Sequence, residues 1–181
     1  MSSSLDAISP LDGRYKNSLK DLCSFFSETA LIKYRLKIEI EYLIALSKER
    51  SIKEIKPFSI KEEKKLNSLI ENFDVSDANH VKEIEKTTNH DVKAIEYFLK
   101  EKTNKKLHPW IHFSLTSEDI NNLSYTLMWK NGLKETYLKA LIIINKKLKN
   151  LSIKYKNESL LSLTHGQPAT PTTFGKEISV F

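Results

Sequence analysis

The run 162–177 reads Ser-Leu-Thr-His-Gly-Gln-Pro-Ala-Thr-Pro-Thr-Thr-Phe-Gly-Lys-Glu, and its centre, Thr164-His165-Gly166-Gln167, holds an imidazole between a hydroxyl and an amide. Imidazole titrates near neutrality, so such a residue can donate or accept a proton in ordinary conditions. General acid catalysis depends first on geometry. Proline disfavours helix at the residue before it, so Gln167 and Thr170 are expected to be extended and His165 to stand on a stiffened segment. Against this, a lone histidine has structural roles too, and spacing alone does not choose between them.

Three more clusters carry chemical potential. In Ser9-Pro-Leu-Asp-Gly-Arg-Tyr15, Asp12-Gly13 is turn material, and Arg14 beside Tyr15 offers a planar fork and a phenol suited to a phosphate. An exposed N-terminal turn explains the same residues. Thr87-Thr-Asn-His-Asp91 lies at an expected helix start, where free N–H groups favour anions. Asn89 and His90 could bind substrate there while Asp91 caps the helix, or capping could be the whole role. In His112-Phe-Ser-Leu-Thr-Ser-Glu-Asp-Ile-Asn-Asn122, Thr116 and Ser117 bring two hydroxyls to another helix start. A carboxylate would find N–H and O–H donors together there. The acids that follow fit a plain cap and oppose an anion, which leaves the two readings level.

Helices must position these clusters. The chain has four glycines and five prolines, and no run alternates apolar and polar residues as a strand would. Ser27 is expected to cap a helix to about Lys48, with Leu31, Tyr34, Ile38, Tyr42 and Leu46 on one face. Ser59-Ile-Lys-Glu62 is a capping box, opening a helix with Leu66, Leu69, Ile70 and Phe73 inward. A short helix is expected from Ser76 or Asp77 to Lys86, and another from Asp91 with Val92, Ile95, Phe98 and Leu99 buried. Thr116 or Ser117 opens the longest helical region, to about Lys156, with Ile120, Leu123, Leu127 and Leu133 among its apolar stripe and a break at Asn131-Gly132. A last helix starts near Thr172 or Thr173. The expected fold is all-α, a small N-terminal helical domain (1–112) followed by the start of a long-helix bundle domain (113–181). The apolar stripes of the last helices call for further sequence or partner subunits to cover them.

Composition narrows the function classes. The net charge is +6, but only three arginines (Arg14, Arg35, Arg50) stand among 29 basic residues, and the lysines are scattered among glutamates. Nucleic-acid binders concentrate arginine forks in patches, so no nucleic-acid partner is expected. No apolar run approaches the roughly 18–20 residues of a membrane span, and the first residues lack a signal peptide's pattern. The single Cys23 fits a reducing compartment, and a cytoplasmic location is expected. No His/carboxylate spacing suits a metal, and no Gly-rich phosphate loop occurs.

In this order, Ser9-Pro-Leu-Asp-Gly-Arg-Tyr15, Glu85-Lys-Thr-Thr-Asn-His-Asp-Val-Lys-Ala94, Phe98-Leu-Lys, Thr116-Ser-Glu-Asp-Ile-Asn-Asn-Leu-Ser124 and Thr164-His-Gly-Gln-Pro-Ala-Thr-Pro resemble the adenylosuccinate lyases of the fumarase/aspartase superfamily. The resemblance spans the whole chain. It implies an all-helical homotetramer in purine nucleotide biosynthesis, cleaving adenylosuccinate to AMP and fumarate, and the succinyl-carboxamide ribotide likewise, by β-elimination without metal or organic cofactor. It makes His165 the general acid, with His90 assisting the leaving group. Arg14 and Tyr15 would hold the nucleotide phosphate, Asn89 and Asp91 would line the substrate site, and Thr116 and Ser117 would bind the succinyl carboxylate, supported by Thr164 and Gln167. The family's base is a serine on a Gly-Ser-Ser loop with no counterpart here, so the 181 residues alone are expected to be inactive. The alternatives are another lyase of the superfamily and a non-catalytic helical interaction module.

Overall fold

The computed structural model describes residues 4–181, and the backbone groups into two compact units, the first ending at Gly132 and the second Leu133–Phe181. The first holds α1 (Lys20–Phe26), α2 (Glu28–Lys48), α3 (Ile60–Glu71), α4 (Val75–Thr88), α5 (Asp91–Lys102), a 3₁₀ turn (Lys105–Trp110) and α6 (Ser117–Gly132). The second holds a π-helical stretch (Leu133–Tyr137), α7 (Leu138–Lys154), strands β1 (Ser159–Thr164) and β2 (Gln167–Thr173), and α8 (Phe174–Ser179).

The central element of the first unit is α2. Ser27 caps it by accepting the Ala30 N–H at 3.1 Å, as its sequence position requires. Ile32, Leu36, Ile40 and Leu43 enter the main core with Val81, Ile95, Phe98 and Leu99, while Ile38 joins a second cluster with Val92 and Ile120. The helix is therefore buried on two faces, against α3–α5 and against α6, and the single stripe expected from Leu31 to Leu46 is only part of its contact surface. Replacing Ser27 by Ala is expected to lower unfolding stability by about 1 kcal/mol, read as a lower urea midpoint with an unchanged denaturant slope.

The Ser59–Glu62 capping box opens α3 as expected. Helix α4 starts earlier than predicted, because Asp74 caps it through the Ser76 and Asp77 N–H groups. On α6 the buried residues are Ile120, Ser124, Met128 and Gly132, one every four residues, while Leu123 is 54% exposed. Of the stripe expected within α6, Ile120 is buried and Leu127 packs on the same cluster, and Leu123 is the member that turns outward. A Cβ at Gly132 would sit 2.5 Å from the Phe26 ring, so glycine lets α1 close on α6. The helix period changes directly after it, at the π-helical stretch, where a break was expected. His108 is half-buried, with Nε2 2.9 Å from the Lys100 carbonyl.

The second unit corrects the all-helical expectation locally. Strands β1 and β2 pair antiparallel, from Ser159 opposite Thr173 to Thr164 opposite Gln167, with an irregularity between Leu161 and Leu163. In a two-stranded ribbon each strand is an edge, so Pro168 and Pro171 need not break a ladder. Gln167 and Thr170 are extended, as the prolines dictate, and Thr173 caps α8 through the Lys176 N–H. No residue of α7 is buried.

Candidate active site

The corner between α4 and α5 is built from three consecutive residues. Asn89 takes a left-handed conformation (φ 50°) and closes α4 with its N–H on the Glu85 carbonyl at 2.7 Å. His90 is extended and caps α5, its Nδ1 accepting the Lys93 N–H at 3.2 Å. Asp91, expected as the cap, is instead the first helical residue. An Nδ1 that accepts leaves the ring proton on Nε2, and Nε2 lies 3.3 Å from the Ser117 hydroxyl at the start of α6. That hydrogen bond occupies a lone pair of Ser117 and leaves its own O–H free to donate.

Arg35 on α2 locks this corner. Its guanidinium meets Asp91 Oδ2 at 2.6 Å and its Nε donates to Asn121 Oδ1 of α6 at 2.9 Å, with the side chain 5% exposed. Partial burial works to raise the Asp91 carboxyl, but the Val92 N–H and the Arg35 charge outweigh it and hold Asp91 below the usual carboxylate range. Thr116 gives both its N–H and its hydroxyl to Asp119 Oδ2, at 2.8 and 3.0 Å. Those bonds draw Asp119 below its ordinary value. Asp119 is therefore held ionised by the Thr116 donors, and with Glu118 it leaves two negative charges in the first turn of α6. The same contact means that Thr116 must exchange a partner before it can bind one.

So the fold brings His90, Asp91, Thr116 and Ser117 to one place, beside two helix N-termini. Arg35 and Asn121 belong to the same group, and residue patterning alone did not assign them a part. A signal existed: Arg35 is one of three arginines in a lysine-rich chain, and it sits between residues of the α2 core.

Arg14 and Tyr15 lie on a turn tied by the Asp12 and Gly13 N–H groups to the Ser9 carbonyl and by the Tyr15 N–H to Pro10. Both side chains are exposed, the guanidinium 5.6 Å over the Tyr15 ring. Among the described residues no ion pair engages Arg14, and no hydrogen bond joins either residue to the His90 corner.

Thr164, His165 and Gln167 belong to the second unit. His165 (φ 50°) and Gly166 (φ 76°) are the two residues between β1 and β2. Positive φ at both central positions is the signature of a type I′ hairpin turn, whose twist matches the strands. The imidazole stands exposed at the tip of a tight ribbon. Among the described residues no group of three or more His, Cys, Asp and Glu comes together to hold a metal ion, and no helix is long and apolar enough to cross a membrane.

A family model described as Lyase matches residues 13–181. The chain is 52% identical over 183 residues to the adenylosuccinate lyase of Buchnera aphidicola subsp. Schizaphis graminum, and 46% identical over 182 residues to those of Haemophilus influenzae and Escherichia coli K12. Each alignment covers 98% of this chain, which spans 40% of the length of those relatives. Among solved structures, a fumarate lyase from Mesorhizobium sp. BNC1 superposes with a TM-score of 0.67 at 18% identity, covering 88% of this chain and 36% of that one. That likeness is one of fold.

Proposed function

The chain belongs to the lyase family, and on that premise we propose that the protein carrying it cleaves adenylosuccinate to AMP and fumarate. The related succinyl-carboxamide ribotide would be a second substrate. The observation that carries this reading is the 46–52% identity to adenylosuccinate lyases over 98% of the chain. In the reaction a base removes the proton beside a carboxylate, the C–N bond breaks, and the departing nitrogen takes a proton. His165 is the proposed proton donor. Its support is the hairpin turn, which fixes the backbone under the imidazole while leaving the ring accessible. His90 would assist the leaving group. Ser117, with its hydroxyl hydrogen free, and Thr116 would bind the succinyl carboxylate, and Asn89 and Asp91 would shape the substrate site. Thr164 and Gln167, flanking the turn, would support the same region.

Arg14 and Tyr15 would take the nucleotide phosphate, supported by a guanidinium that no carboxylate among the described residues pairs with. Replacing Arg14 by Gln is expected to raise KM for adenylosuccinate by 10–100-fold, on the order of one charge-assisted contact, with the smaller share of the loss in kcat. Steady-state kinetics on the complete protein measure it.

In the complete protein, 1–112 is proposed as the N-terminal domain and 113–181 as the beginning of a helical bundle. Within the present residues α6 groups with the first unit because Ile120 packs with Ile38 and Val92. The lack of any buried residue on α7 supports self-association, with a homotetramer proposed, and a cytoplasmic location goes with this reading. Fumarate release from adenylosuccinate by the purified complete protein tests the assignment. Turnover of argininosuccinate, aspartate or malate instead, none carrying a phosphate, would overturn it.

A further inference from the structure

Beneath the candidate site lies a buried charged cluster that its chemistry does not use. Glu39 of α2 has a fully buried side chain, and His112 Nδ1 meets its Oε1 at 2.5 Å. His112 Nε2 lies 3.8 Å from Glu96 of α5, which is 4% exposed and also paired with Lys93 at 2.8 Å and Lys100 at 3.9 Å. The second oxygen of Glu39 is buried with no hydrogen-bond partner. Burial pushes the Glu39 carboxyl upward, and the hydrogen bond and charge of His112 work against that rise. Two carboxylates in a core are costly unless compensated, and losing one partner of a buried pair costs more than the pair's net worth. His112 is the group that reaches both.

The backbone around His112 needs holding. His112 (φ 60°) and Ser114 (φ 59°) are both left-handed, a conformation that persists in non-glycine residues where the surroundings over-determine it. The holding contacts are few. They are the His112 ring, the Tyr42 hydroxyl on the Phe113 carbonyl at 2.9 Å, the Trp110 ring 5.2 Å from that of Phe113, two local backbone bonds (Phe113 N–H to Trp110, Leu115 N–H to His112) and the buried Ile111. Of these only the His112 ring and Tyr42 tie the segment to α2 by hydrogen bonds. Leu115 follows, packed on the second core cluster, and then Thr116 and Ser117.

We propose that Glu39 and His112 form a buried latch that holds the 112–115 segment, with its left-handed His112 and Ser114, and so positions the Thr116 and Ser117 hydroxyls. Both are positioning residues in this role. Glu39→Gln keeps the shape and an acceptor but removes the charge; His112→Asn removes the ring while tolerating a left-handed backbone. Amide hydrogen exchange of the complete protein, resolved by peptide, reads the effect. Exchange across 112–117 is expected to quicken by about fivefold in Glu39→Gln and tenfold or more in His112→Asn, while the α3 and α4 peptides keep their rates. A general loss of stability would instead speed exchange throughout the first unit. Unchanged exchange at 112–117, or an equal rise in α3 and α4, overturns the latch. Should Glu39→Gln fail to fold, His112→Asn decides alone. A KM increase exceeding the kcat loss is the companion result, and that arm rests on the substrate role proposed for Thr116 and Ser117. Quickened local exchange with unchanged KM supports the latch and sinks that substrate role.

Discussion

His165→Asn is expected to lower kcat of the complete protein by 10²–10⁴-fold, the range a positioned general acid contributes, without disturbing the hairpin. Position 165 makes two demands at once. Its backbone is left-handed at the first central position of the turn, a conformation that Asn and His adopt more readily than most residues. Its side chain must present a titratable ring. Asn meets the first demand and fails the second, so the loss isolates the proton transfer. His165→Val fails both, because a β-branched residue at positive φ is a steric outlier, and should disturb the β1–β2 pairing as well. Gly166→Ala (φ 76°) strains the turn while leaving the imidazole in place. The comparison is made on kcat at saturating adenylosuccinate, with hydrogen exchange over 159–173 as the check on the ribbon. If His165→Asn kept turnover within tenfold of the parent, the proton would have to come from elsewhere.

The capped helices were legible because their signals are local. Ser27, the Ser59–Glu62 box and the Val92–Leu99 stripe act within one or two turns. The hairpin was half legible: the prolines announced an extended segment, but Leu160-Leu161-Ser162-Leu163 does not alternate. A ribbon exposed along most of its length imposes no alternation. On α6 the expected stripe held at Ile120 and Leu127 and missed at Leu123, because the packed face also uses Ser124 and Gly132, small residues that permit close approach and carry little hydrophobic signal. At the site, residue types were readable and their pairings were not. Asp91 has the composition of a cap, yet His90 performs that task because Arg35, more than fifty positions earlier, takes the carboxylate. Arg35 and Glu39 are charges within the α2 core stripe, and only the meeting of α2 with α5, α6 and the 112–115 segment shows what neutralises each.

The Arg35–Asp91 pair yields the largest expected effect on stability, and it is asymmetric. Arg35 is 5% exposed and Asp91 43%. Asp91→Asn leaves a buried guanidinium without its counter-charge, facing only neutral acceptors, the Asn121 amide oxygen and the new amide oxygen at position 91. Breaking a fully buried pair costs about 3–5 kcal/mol; water at the exposed edge of Asp91 screens part of that, so about 2–3 kcal/mol is expected. Arg35→Met leaves the carboxylate, which water and the Val92 N–H can still solvate, while the core gains an apolar side chain of similar length. Its expected cost is nearer 1 kcal/mol. The pH dependence fixes the sign. Asp91 is held below its ordinary value in the fold, so it binds fewer protons folded than unfolded. Its stabilisation is present above the unfolded carboxylate range, near pH 4, and is lost as pH falls through the lower folded value. Urea unfolding of wild type and Asp91→Asn should therefore differ most near neutrality and converge in acid. A cost below about 0.5 kcal/mol at neutral pH would mean that solvent screening dominates, and Asp91 would then be free to turn from Arg35 toward a substrate. A cost in the expected range keeps it in the framework that holds His90 against Ser117.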